Sequence, residues 1–319
     1  MSLDVLVYRI FRLWKVIVLG VVFPLATVWT ASIHNGSDYP VLMTLAVLIP
    51  GFHAIRYPGM WQETLIVSLI LSLCLWLSTM IEPGLTTGEM VWRVFWLIVM
   101  AFVLFLGAIT PVSMLTIIGP KQVLTARAVQ RSRLDADSLR AALPLFPGKV
   151  GPRINCGPAD EEGRFSVTIE PCPVETVNYE IQPEYGYVDD DDPGLETVEN
   201  ENASCTFHAV VHDSGPGHHE IFTYFDPGEI GVQRHTFKPL KGRGTEVTVE
   251  ETGHRLPVVQ IFGFWLIGYM ADHLTHELDM AEGRAPRANR AFPQKQLVVD
   301  IANFVLPFLG GTRRENTGA

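Results

Sequence analysis

Clustered basic residues are scarce in this sequence: 24 Lys and Arg stand against 34 Asp and Glu over 319 residues, a formal net charge of -10. That balance excludes a nucleic-acid partner, because phosphate binding draws on grouped Lys and Arg. Cysteine is equally sparse. Cys74, Cys156, Cys172 and Cys205 are too scattered to form the close pairs of a zinc site. Cys74 lies in an apolar run and reads as a packing residue, while a Cys156–Cys172 disulfide would require an oxidising compartment. Gly-rich phosphate loops, a nucleophile elbow and a Cys/His pair at useful spacing are all missing, so no motif implies catalysis or a cofactor.

Charge is also missing from the apolar runs. Residues 14–119 are mostly Leu, Val, Ile, Phe, Trp and Met, and nearly every acidic residue lies after Gly119. A helix needs about 20 apolar residues to cross a bilayer core, and four segments approach that length. They are 16–33 with Pro24 inside, 41–55 broken by Pro50-Gly51, 64–81 without interruption, and 94–118 with Pro111 near its exit. A pump or carrier keeps costly ionisable residues inside its spans. Here the interiors hold only Ser, Thr and one Cys, while His34, His53, Glu63 and Glu82 sit at the ends. Trp14, Trp29, Trp61, Trp76 and Trp92 mostly flank the spans as an aromatic belt does. Four such spans describe an anchor or a docking surface rather than a transporter. The first lacks a small-residue cleavage pattern before Ser37 and is read as retained.

Basic residues in the short loops set an orientation. Arg9, Arg12 and Lys15 precede the first span, Arg56 follows the second, and Lys121, Arg127, Arg131 and Arg133 follow the fourth; the loops at 34–40 and 82–91 hold none. The alternation puts both termini in the cytoplasm of a bacterial inner membrane or its equivalent, with Arg93 the one dissenting residue.

After Thr125 the hydrophobic period changes from helical to alternating. Residues 125–133 read as a strand, and Asp135 is a good N-cap for a short helix over 136–143. Alternating runs follow at 164–170 and 176–182. A strand pair spans the Asp213-Ser214-Gly215-Pro216-Gly217 turn, from 205–212 to 219–225. A second pair, 231–237 and 245–251, spans the glycines at 242–244. One long helix is expected over 257–282, with Pro at its first turn and Gly283 at its end.

This order, together with Arg133-Leu134-Asp135-Ala136-Asp137-Ser138 opening the first helix and Gly244-Thr245-Glu246-Val247-Thr248-Val249-Glu250 as the last strand, resembles the START/Bet v 1-like (SRPBCC, helix-grip) superfamily. The resemblance covers roughly residues 125–283, and the acidic insertion at 184–202 departs from it. It implies an α+β helix-grip domain, a curved antiparallel sheet around a long C-terminal helix, which follows the all-α membrane bundle of four transmembrane helices read from the apolar runs. It also implies an apolar cavity between sheet and helix that takes lipids, sterols or polyketides. Ile261, Trp265 and Tyr269 share one helix face at i, i+4 and i+8 and are candidates to line it, with Phe207, Phe225 and Phe237 on the sheet. The same residues could equally fill a core. Tyr224, Arg234 and His235 are the polar candidates should the superfamily's cyclase-type chemistry apply.

The expected organisation is a four-span region at 1–120, a cytoplasmic START/SRPBCC-like domain at 121–283, and a basic linker with an interfacial amphipathic tail helix at 284–319. A fifth span over 258–270 would be short. It would also carry Arg284, Arg287, Arg290 and Lys295 to the wrong side, so a buried domain helix is expected there. His273 and His276-Glu277 lack the second His of a zinc helix, because Met280 stands in its place. His208, His212, His218 and His219 make a local His-rich patch best read as a solvated hairpin, so no metal is expected. The run at 189–192 lacks the spaced pattern of a calcium loop, and the Asn202-Ala203-Ser204 sequon is idle in a cytoplasmic domain. Lipid binding by a membrane-anchored domain, with the bilayer and a hydrophobic small molecule as partners, is the leading expectation. An auxiliary subunit of a membrane complex comes second and a cyclase-like enzyme last.

Overall fold

The computed structural model describes residues 2–35, 39–79, 86–114, 118–151, 153–170, 179–180, 205–224, 230–241, 244–309 and 312–313. The acidic run at 189–192, the sequon at 202–204, Cys172, Glu82 and Phe225 lie outside these residues. The chain divides into two compact units, each discontinuous in sequence: 1–130 with 249–289, and 131–248 with 290–319.

The first unit opens on α1 (Leu3–Arg12), whose N-cap Ser2 accepts a hydrogen bond from the Val5 N–H. The helices α2 (Trp14–Asn35), α3 (Pro40–Arg56), α4 (Trp61–Thr79) and α5 (Thr87–Met114) follow. Three of these are long and apolar enough to cross a membrane by length and composition, over Trp14–Ile33, Trp61–Ser78 and Val91–Ile109. The fourth expected span, α3, is an apolar helix of 17 residues and falls short of that length. The expected break at Pro50-Gly51 is absent: α3 runs through it. Pro50 forfeits one backbone hydrogen bond, and its side chain is buried where α2, α3 and α4 meet. Gly20 marks that meeting. A Cβ built there would stand 3.1–3.2 Å from Ser68, Thr64 and Pro50, so the helices approach closely because α2 has no side chain at this point. Val28, Ala46 and Leu75 pack together further along the same helices.

The unit is completed from the far end of the chain by α7 (Val258–Ile267) and α8 (Tyr269–Ala281). The single long helix expected over 257–282 is thus two. Gly268 breaks it with φ 61° and ψ 44°, a left-handed conformation that a glycine adopts without steric cost. The first half is not a fifth span. It packs on α2 and α4, with Leu266 buried against Leu13, Val16 and Ala54, and Gly263 lies flat against the Trp61 indole.

The second unit holds most of a sheet in whose strands inward residues alternate as the sequence pattern requires. The strands are β1 (Lys121–Ser132), β2 (Ile154–Cys156), β3 (Arg164–Ile169), β5 (Cys205–Gly215), β6 (His218–Tyr224), β7 (Ile230–Pro239) and β8 (Thr245–Pro257), in the order β1-β8-β7-β6-β5-β3-β2. The division between units passes through β1 and β8. A two-residue β4 (Tyr179–Glu180) pairs with β9 (Thr312–Arg313). This antiparallel seven-stranded sheet with helices after it in the chain is an α+β arrangement, as expected. Register pairs Phe165 with Ala209 and Val167 with Phe207, and these four join Leu145, Cys156 and Ile221 in a filled core. Full burial of a side chain such as Phe165 contributes roughly 2–3 kcal/mol.

The α6 helix (Ala136–Ala142) is capped as expected by Asp135, which accepts from the Ser138 N–H at 2.8 Å. β5 and β6 meet across Pro216-Gly217 with a bulge between Val211 and Asp213. Gly244, at φ 105°, lies so close to the Ser132 carbonyl that a side chain would collide with it. The tail helix α9 (Leu297–Val305) exposes Phe304 and runs into a 3-10 turn that exposes Phe308, while Val299 is buried.

Candidate ligand cleft

Three parts of the first unit meet at a cleft of about 560 Å³. One wall is α7 and the start of α8, another is the β1 stretch Leu124 to Arg127, and the third is the α1–α2 junction with Arg12 and Lys15. The location follows from the Gly268 break. Where α7 ends, its last carbonyls carry the negative end of the helix dipole; the Gly268 N–H caps those of Phe264 and Trp265, and the Asp272 N–H donates to that of Gly268. The Arg12 guanidinium donates to the Gly268 carbonyl, and the Lys15 ammonium donates to the Trp265 carbonyl at 3.0 Å. Lys15 also stands 3.9 Å over the Trp265 ring, a cation–π contact. At its other end α7 is tied to the residue preceding β1, with the Val258 N–H donating to the Pro120 carbonyl at 3.0 Å.

α8 is held by the same N-terminal helix. Asp272, buried in its first turn, accepts from the Tyr8 hydroxyl at 2.7 Å and from the Asn289 N–H. Burial, and then the Asp272 carboxylate, push the Tyr8 hydroxyl well above the usual tyrosine range, which keeps it protonated as the donor. Asp279, fully buried two turns on, accepts from Arg287 through its backbone N–H and guanidinium and pairs with Arg284 at 2.9 Å. Those bonds to Asp279 raise the Arg287 pKa further.

Of the residues expected to line a pocket, Ile261, Trp265 and Tyr269 meet in this cleft, with Tyr269 stacked on Phe264 at 4.4 Å. The others belong to the second unit. Phe207 is part of its filled core, and Phe237 is buried beside the His235 ring. Tyr224 is half-buried opposite Ile230, and Arg234 is exposed and bonded to Glu220 at 2.6 Å. Arg12, Lys15 and Leu124 to Arg127 escaped the sequence reading as cleft residues. The one signal for the first pair was helical spacing: Tyr8, Arg12 and Lys15 recur at i, i+4 and i+7.

The histidines are individually engaged. His218 bonds Asp213 at 2.8 Å, and His212 stacks on Phe222. His219 Nε2–H donates to the Leu145 carbonyl, which leaves Nδ1 to accept from the Ser214 hydroxyl. No group of three or more metal-ligating side chains assembles among the described residues. His53 and Glu63, expected at interfacial positions at the span ends, are both buried, with His53 Nδ1 2.9 Å from the Thr64 hydroxyl and Nε2 3.8 Å from Glu63.

No family model and no curated protein matches the chain. Among solved structures it is similar to DR_A0006 from Deinococcus radiodurans, at 15% identity over 50% of this chain and 99% of that one, TM-score 0.30. It is similar to CV1439 from Chromobacterium violaceum, at 12% identity over 50% and 96%, TM-score 0.31. The di-domain ARO/CYC BexL from the BE-7585A biosynthetic pathway is 11% identical over 63% of this chain and 61% of its own, TM-score 0.29. At these values no function is drawn from the likeness.

Proposed function

We propose that the protein is a membrane-anchored binder of a hydrophobic ligand, a lipid or isoprenoid drawn from the adjacent leaflet. One observation carries this reading: a cleft walled by Leu124, Ile261, Phe264 and Trp265 belongs to the same compact unit as the three long apolar helices. Residues 1–120 act as the anchor, 121–283 as the ligand domain, and both termini face the cytoplasm. The exposed Phe304 and Phe308 let the tail at 284–319 rest on the same leaflet.

The test is mass spectrometry of organic extracts from detergent-purified protein, beside an Ile261→Trp variant that fills the cleft. A lipid recovered from the wild type and lost from the variant supports the reading. Recovery at background from the wild type overturns it.

A second reading, an auxiliary subunit of a membrane complex, is favoured by α5. It is the least enclosed of the long helices, and Trp92, Phe95 and Trp96 form an exposed aromatic ladder with ring separations of 5.5–5.8 Å. Native-gel migration as a lone monomer in mild detergent counts against it.

A further inference from the structure

The cleft is unusual in its charge. Arg12, Lys15 and Arg127 line it, and among the described residues no Asp or Glu does, in a chain whose net charge is -10. Two of the three cations are not neutralised by the protein. Among the described residues Arg12 and Lys15 bond only carbonyl oxygens, of Gly268 and Trp265, so dipoles rather than charges face them. Arg127 has a carboxylate, Glu250, at 3.4 Å, with both side chains largely in solvent. A positive charge that meets only carbonyls keeps most of its capacity for an anion, and an ammonium has three donors of which Lys15 uses one. Apart from Thr125 the rest of the lining is apolar or aromatic, and Phe262 and Trp265 remain 43% and 57% exposed. Lys15 also sits within the first turn of α2, where the candidate span Trp14–Ile33 begins. That is the depth at which lipid headgroups lie, if α2 crosses the bilayer.

We infer that the cleft selects a net-anionic amphiphile of the bilayer, its acidic head held by Lys15 with Arg12 and Arg127 and its hydrocarbon laid along α7. This inference rests on the hydrophobic-ligand reading above and adds the sign of the head. A head without net charge would leave two cations uncompensated, whereas an anionic one gains charge-assisted hydrogen bonds beside low-dielectric walls.

The experiment uses the full chain in a neutral detergent, equilibrated with equal amounts of dioleoylphosphatidylglycerol and dioleoylphosphatidylcholine, and native mass spectrometry of the retained lipid. The tails are identical, so only head charge differs. Wild-type protein is expected to enrich the glycerol lipid about tenfold, the effect of one charge-assisted contact. Lys15→Gln and Arg127→Gln each reduce that enrichment severalfold, and Lys15→Arg keeps it. Excess inorganic phosphate does not displace the lipid. Equal retention of the two lipids, unchanged enrichment in both Gln variants, or displacement by phosphate overturns the inference while leaving hydrophobic binding intact. Failure of the wild type to retain either lipid overturns the underlying reading as well. Should Lys15→Gln fail to fold, Arg127→Gln, exposed on its strand, decides alone.

Discussion

His219 and His235 stand directly opposite each other across the β6–β7 pair, and both rings are buried. Burial, and then its neighbour's potential charge, hold His235 down to about 3, and burial likewise lowers His219. His235 Nδ1 also has no hydrogen-bond partner among the described residues.

Acid sensitivity follows from that pair. Both pKa values are lower folded than unfolded, so between the two values the unfolded chain binds more protons. Stability is therefore complete above about pH 6.5 and is lost as pH falls below it, down to about 3 for His235, at up to about 1.4 kcal/mol per pH unit for each ring. Thermal unfolding at pH 7.5, 6.0 and 5.0 checks this. His235→Leu should flatten the slope, and an unchanged slope would show that the ring is not a source of it.

Gly268 makes the second prediction. Gly268→Ala places a residue with a Cβ at positive φ, which costs about 1 kcal/mol by itself, and drives that Cβ into the Arg12 guanidinium. A loss of about 2 kcal/mol is expected. Arg12→Ala removes the obstacle, so the double variant should be less than additive. Full additivity in a thermal-stability cycle would refute the contact.

Asp279 is the strongest single test of the α8 attachment. Asp279→Ala leaves Arg284, Arg287 and the Arg287 N–H without their shared acceptor and should cost about 3 kcal/mol. Arg284→Ala should cost less, because Arg287 still compensates the buried carboxylate. Chemical denaturation ranks the two, and the reverse order would contradict the geometry.

Gly20 tests the helix crossing. Gly20→Ile overfills the space beside Ser68, Thr64 and Pro50 and should destabilise by about 1–3 kcal/mol, whereas Gly107→Ile meets nothing within 4 Å and should be nearly neutral. Thermal aggregation in detergent distinguishes them.

Local chemistry made much of this legible. Asp135 announces its helix, the alternation around Phe165 and Val167 announces a sheet face, and the glycines around Pro216 announce a hairpin. Period and capping depend on neighbours a few residues away, so the sequence displays them. The length of α3 was less legible, because Pro50-Gly51 and the nearby His53 leave composition ambiguous between a span and a short helix. The break at Gly268 was illegible for another reason. An apolar helix with two internal glycines, Gly263 and Gly268, reads as continuous, and what holds it apart is Arg12, Lys15 and Tyr8, some 250 residues earlier. Nothing in local pattern joins residues so distant, which is also why the cations of the cleft went unrecognised.

The first unit draws α1 from one end of the chain and α8 from near the other, and this has a consequence for synthesis. Residues 14–114 leave the ribosome long before residue 268 exists. During that interval Arg12 has no carbonyl to meet, Tyr8 has no Asp272, and Leu13, Val16 and Ala54 lack the cover of Leu266. A nascent chain halted after Met114 would thus hold its apolar helices with the clasp undone, and closing it is a late event, after the sheet's strands have been made.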